Sequence, residues 1–203
     1  MLATADPAFD GGDGVLAIEA GIDCREQKRP ADGLDRDGFL DGSTGRPIEE
    51  VVAIARLAGE DLDGAVRAMA VEALGGAGER AAVVLDAVRS DDDPRVCEAV
   101  ATAYGELRHG EAVPWLIDLA AGDGDRASRE AAVAALGATR DDAALPVLLE
   151  LVAGAPPQVR RRAVVALTVF DDPAVEPAIR KAARDRNPSV REAAEMVVGR
   201  QAD

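Results

Sequence analysis

The side chains able to do chemistry are few in this chain, and their spacing keeps them apart. There is one histidine, His109, and there are two cysteines, Cys24 and Cys97. A zinc centre needs several nitrogen and sulfur ligands at one point, usually delivered as closely spaced pairs. These three residues form no such pair. The cysteines likewise make neither a C-x-x-C motif nor a disulfide framework. The acidic stretch Asp35-Arg36-Asp37-Gly38-Phe39-Leu40-Asp41-Gly42 begins like a calcium loop, whose oxygen ligands stand at positions 1, 3 and 5 with a glutamate at 12. Position 5 is Phe39 and position 12 is Arg46, so the stretch reads as a solvated acidic turn. Neither a phosphate-cradling glycine loop nor a nucleophile elbow occurs. A catalytic or metal site requires convergent groups. The expectation is therefore a protein that is not an enzyme, with no catalytic residue, no metal ligand and no cofactor.

What the chain does carry is arginine at regular intervals. Val66-Arg67…Ala70…Ala73-Leu74-Gly75 returns around Cys97, Arg129, Arg160 and Arg191, about every 31 residues, and a fixed period of this length marks stacked repeat units. Cys97 stands where the second unit should have arginine, and Thr168 stands where the fourth should have glycine. Asp93-Pro94 and Asn187-Pro188 read as an N-cap followed by proline at the first helical position, and Asp63 and Asp125 as caps without the proline. Pro156-Pro157 opens the fourth unit without an Asx cap. Gly75, Gly105, Gly137 and Gly199 read as the ends of the same helices.

The helices that must position these residues come in pairs. Ile54, Leu85, Leu116, Leu148 and Ile179 align across units, with Leu57, Val88, Leu119, Leu151 and Ala182 three residues on. Each two-column stripe is the apolar face of a first helix. The expected pairs are 47–58 with 63–75, 80–89 with 94–107, 112–121 with 126–138, 142–153 with 157–169, and 173–184 with 188–200. A lone helical hairpin buries too little surface to stand alone, and stacking supplies the rest. Composition agrees: 48% of residues are hydrophobic but only 2% aromatic, so the apolar mass is Ala, Val and Leu, which suits thin, closely spaced helical layers. Residues 1–45 read as a separate Gly/Asp-rich segment without sustained helical spacing, either flexible or loosely docked, with scattered apolar residues of the kind that could cover the open end of the first unit. Residues 46–203 form the repeat domain.

Segments such as DPRVCEAVATAYGELRHGEAVPWLIDLAAGD and DRASREAAVAALGATRDDAALPVLLELVAG resemble the HEAT-like repeat family, in particular its short-repeat branch named for phycobilisome (PBS) lyases. The resemblance spans residues 47–200. It implies an all-α superhelix, a HEAT-like solenoid of about five helix pairs. It also implies that Arg67, Arg129, Arg160 and Arg191 tie neighbouring repeats together near the turn between helices. Proteins with such repeats include scaffolds, adaptors, chromophore lyases and some enzymes, so the fold does not choose a function. Di-iron hydroxylases of this type use His-Glu pairs, and this chain has none. HEAT-like DNA repair proteins present a basic face, and binding phosphates requires one. Here the formal net charge is -15, with 38 acidic against 23 basic residues. The chain is expected to bind no nucleic acid, and the repair reading ranks last.

In such an array the second helices line the concave side. Counting from the repeated arginine, the +3 and +7 columns are expected inside and the +1 and +5 columns outside. The +1 column is Ala68, Glu98, Glu130, Arg161 and Glu192; the +5 column is Glu72, Thr102, Ala134, Val165 and Met196. The candidate contact residues are therefore Glu72, Glu98, Thr102, Glu130, Arg161, Arg162, Val165, Glu192 and Met196, on a face that begins acidic, turns basic and ends with two exposed apolar side chains. Trp115 is expected to pack beside Leu116, and His109 to sit in an exposed loop. No apolar run reaches membrane-spanning length and no secretory signal is visible, so a cytoplasmic location is expected. The leading expectation is a non-enzymatic scaffold or adaptor for a protein or peptide partner, with no membrane; the sequence does not give an oligomeric state. The alternative is a PBS-lyase-like lyase or chaperone for a chromophore or other prosthetic group.

Overall fold

A computed structural model of the chain describes residues 48–78 and 80–200. The boundary expected near residue 45, and the segment before it, lie outside the described residues. Among those described, ten α-helices alternate in two layers and no strand occurs. The first helices of the pairs are α1 (Ile48–Glu60), α3 (Arg80–Val88), α5 (Val113–Ala121), α7 (Leu145–Gly154) and α9 (Val175–Ala182). The second helices are α2 (Gly64–Gly75), α4 (Pro94–Leu107), α6 (Arg126–Thr139), α8 (Pro157–Leu167) and α10 (Pro188–Arg200). Short 3-10 turns at Gly110–Ala112 and Asp142–Ala144 lead into α5 and α7.

The caps form as their residue types require. The carboxylates of Asp63, Asp93 and Asp125 accept from the backbone N–H groups of Ala65, Arg95 and Ala127, and Asn187 accepts from Ser189. Each satisfies one of the donors a helix start leaves free. Pro156 makes no side-chain cap. The core runs as one ladder between the layers. Leu85, Leu116, Leu148, Val96, Leu136 and Leu167 are all fully buried, each contributing about 1.5–3 kcal/mol. The +3 column is buried throughout, as expected. In the +7 column Leu74, Tyr104, Leu136 and Leu167 are buried, but Val198 is 38% exposed because no further helix packs against it among the described residues.

Three expectations are corrected. Gly75 ends α2 as expected, but Gly105 and Gly137 do not end their helices: α4 and α6 run past them and close instead on Arg108 and Arg140, both in the left-handed region. A methyl group at Gly105 would stand 2.9 Å from the Cα of Ala135, and one at Gly137 would stand 3.0 Å from the Cα of Ala166. The glycines are there so that successive second helices touch backbone to backbone. Ala68, expected on the outer face, is buried, because an alanine methyl is too short to reach past the packed layer as glutamate or arginine does. Leu57, expected inside, is 47% exposed.

Of the four repeated arginines, Arg67 and Arg160 tie neighbouring repeats as the resemblance implies, whereas among the described residues Arg129 and Arg191 donate only to carbonyls of their own repeats, Ala120 for the one and Asp185 and Arg186 for the other. Arg67 donates through Nε and Nη2 to Asp91, both at 2.7 Å, and through Nη1 to the Asp61 carbonyl. Arg160 does the same with Asp185 (2.9 and 2.7 Å) and the Ala155 carbonyl. In each case the carboxylate belongs to the next repeat. It stands two residues before the N-cap, and also accepts from the backbone N–H of that N-cap residue. Arg129 faces a repeat that carries Gly154 at this place and keeps only the Ala120 carbonyl. In the second repeat Cys97 stands at the arginine position, and its thiol donates to the Asp91 carbonyl at 3.2 Å. Burial, with Asp91 close by, pushes that thiol above its usual range. Two of the four junctions are thus clamped by ion pairs, the first and the last.

Candidate binding groove

The second-helix layer carries an open groove of about 540 Å³ where α4, α6 and α8 come together. Its floor is small: Ala131, Ala134, Ala135 and Ala138. Its rim is charged and polar: Glu98, Thr102 and Glu106 from α4, Arg126 and Glu130 from α6, and Arg162 from α8. The floor follows from the same requirement as Gly105, since helices that touch backbone to backbone admit only small side chains between them. The rim residues are spaced by one helical turn and so rise on the same side.

Four of the nine candidate residues meet here: Glu98, Thr102, Glu130 and Arg162. The remaining five, Glu72, Arg161, Val165, Glu192 and Met196, are exposed but do not line the groove. Val165 is 50% and Met196 62% exposed. Glu106 and Arg126 were missed, though carrying the +1 and +5 columns one turn further in each direction reaches both.

Charge on the rim is only partly neutralised. Arg126 pairs with Glu130 at 3.5 Å across one turn of α6, a surface pair of small energetic weight. Thr102 turns its hydroxyl back to donate to the Glu98 carbonyl. The Nε of Arg162 is buried and has no hydrogen-bond partner among the described residues, and a buried N–H without an acceptor is costly.

The aromatic residues do not contribute to the groove. Tyr104 is fully buried and donates its hydroxyl to Asp86 at 2.6 Å. Burial and that carboxylate hold the phenol well above its ordinary range. His109 stacks on the Tyr104 ring at 5.6 Å and Trp115 meets it edge-on at 5.7 Å. Trp115 packs as expected, whereas His109 is half-buried rather than free in its loop, because the loop folds back over Tyr104 and the His109 N–H bonds the Tyr104 carbonyl.

A second recess, of about 640 Å³, lies in the first-helix layer between α7 and α9, where Leu149, Val152 and Pro177 adjoin Arg180, Lys181 and Arg184. Glu176 already occupies Arg180 as an ion pair. No group of histidine, cysteine and carboxylate side chains able to hold a metal ion occurs among the described residues. Among them, no helix is long and apolar enough to cross a membrane.

A family model described as HEAT repeats matches residues 81–167 and 148–203. No curated protein matches the chain in sequence. Among solved structures, the complex of CpcE and CpcF of phycocyanin lyase from Nostoc sp. PCC7120 is similar, with a TM-score of 0.63 at 20% identity. The match covers 74% of this chain and 99% of that one. At this identity the likeness is one of fold.

Proposed function

Since the chain belongs to the HEAT repeat family, we propose that it is a binding scaffold whose partner, a protein or peptide segment, lies in the groove over α4, α6 and α8. The observation that carries this reading is the combination of an alanine floor with a charged rim on which Arg126–Glu130 is the one ion pair among the described residues. A small floor lets a backbone come close, and the rim sets what that backbone must bring. Glu98 and Glu106 favour a lysine or arginine, and the Arg162 guanidinium at the rim favours a carbonyl or carboxylate oxygen. The best-fitting partner is therefore a short basic segment that offers a backbone carbonyl or one acidic group near Arg162. Localisation follows the partner and is not fixed by the fold.

The test is selection of displayed peptides on the wild-type protein, followed by binding to the Glu98→Arg/Glu130→Arg variant. Enriched sequences should carry lysine or arginine and lose at least about tenfold in affinity on the variant, the scale of losing close charge pairs at an interface. Basic peptides that bind both proteins equally would place the site elsewhere.

A second reading is supported by the likeness to the phycocyanin lyase complex: the array would hold a tetrapyrrole and deliver it to a client. A shifted and intensified visible band on mixing with a bilin would favour it, and an unchanged spectrum would remove it.

A further inference from the structure

The first repeat leaves more exposed a face that the later repeats bury at most positions, the Met69 column being part-buried at Ala131 and Arg162, where the groove opens. On α2 that face is Val66, Met69 and Ala73. Its counterparts lie against the preceding repeat. Ser128, at the Val66 position, donates its hydroxyl to the Pro94 carbonyl of the repeat before it. Ala135, at the Ala73 position, touches Gly105 of the repeat before it. The Val66 position is 0% exposed at Val96, Val159 and Val190, and the Met69 position is 4% exposed at Ala99 and Ala193. Met69 itself is 66% exposed. On α1 the same holds: Leu57 is 47% exposed, against 8% at Val88 and 7% at Leu151. Leu62, in the turn between the two helices, is fully exposed. Met69 on α2 and Leu57 on α1 are thus exposed apolar residues, with Val66 and Ala73 part-buried beside Met69 on α2, and terminal repeats of stacked arrays need a cover.

We propose that residues 1–47 of this chain are that cover, docking through Val15, Leu16, Ile18 and Ile22 with the Phe39-Leu40 pair. The segment ends where α1 begins, at the edge of the open face, so no long tether is needed. One helix pair occupies about 31 residues in this array, so 47 residues are enough to lay one further layer. The segment also carries the chemistry the face asks for, clustered large aliphatic and aromatic side chains, which are otherwise sparse in its Gly/Asp-rich composition.

Methionine oxidation in the full chain tests this with an internal control. Met69 and Met196 are 66% and 62% exposed, and sulfoxide formation follows exposure. Under dilute peroxide, with each site read by mass spectrometry, Met69 should oxidise at least about fivefold more slowly than Met196. The Ile18→Asp/Ile22→Asp double variant, altered only in the segment, should raise Met69 to the rate of Met196 while helical content stays unchanged. Equal rates in the wild type would overturn the proposal. So would protection that survives the double variant. Protection that fades on dilution would overturn it too, because the cover would then be a second copy.

Discussion

Replacing Asp185 by alanine should loosen the last helix pair before the rest of the array. Asp185 accepts two hydrogen bonds from Arg160, at 2.9 and 2.7 Å, and one from the backbone N–H of Asn187 at 2.7 Å. The Arg160 side chain is 6% exposed and that of Asp185 14%, so water does not readily replace the lost partner. Bonds to charged groups are worth roughly 1.5–3 kcal/mol each, and stranding one member of a buried pair costs roughly 3–5 kcal/mol. Arg160 keeps its bond to the Ala155 carbonyl, which places the cost near the low end, at about 3 kcal/mol, or roughly a hundredfold in an equilibrium constant. In a stacked array each unit is held mainly by its neighbour, so the loss falls on the α8–α10 junction. The assay is amide hydrogen exchange of residues 188–200 compared with α4 and α6. Protection in α10 should fall by about a hundredfold while α4 changes little. Acidification gives a second reading. The Arg160 guanidinium holds the Asp185 carboxyl below its ordinary range. Its contribution is therefore complete above the ordinary carboxylate value, near pH 4, and is lost as pH falls from there through the lower folded value. The wild type should lose α10 protection in that acid window, and the variant should show less additional loss. Exchange in α10 within twofold of wild type would mean that the pair is a surface contact and that the junction is held by packing alone.

Two further outcomes follow from the same junctions. Gly154→Asp should build the clamp missing opposite Arg129; a Cβ at Gly154 meets nothing within 4 Å, and urea unfolding followed by Trp115 fluorescence should show about 1 kcal/mol of added stability. Gly105→Ala should cost about 1–3 kcal/mol through overpacking against Ala135, whereas Gly199→Ala, with no neighbour within 4 Å, should be neutral or gain up to about 1 kcal/mol from helix propensity, both read by thermal unfolding.

The array was legible because period and burial are both properties of the local sequence. Leu85, Leu116 and Leu148 sit in register, and Asp93, Asp125 and Asn187 cap where their side chains reach backbone N–H groups. What escaped was set between repeats rather than within them. Gly105 and Gly137 looked like helix ends because stop signals and close-approach sites use the same residue, and only the distance to Ala135 or Ala166 separates the two. The Arg160–Asp185 pair joins residues far apart in sequence, so a single helix pattern shows the donor and not the acceptor. The groove was half legible for a related reason. The columns gave its direction, but its extent depended on which neighbouring helices close around Glu98 and Glu130. His109 was misjudged because its place is fixed by the ring of Tyr104, outside its own loop.

The backbone contacts at Gly105 and Gly137 have a geometric consequence. One side of the stack advances by the thickness of bare main chain, while the first helices on the opposite side carry the larger buried side chains Leu85, Leu116 and Leu148. A row of wedges thin on one edge must arc toward that edge, so the bend of the rod is written into a handful of missing methyl groups.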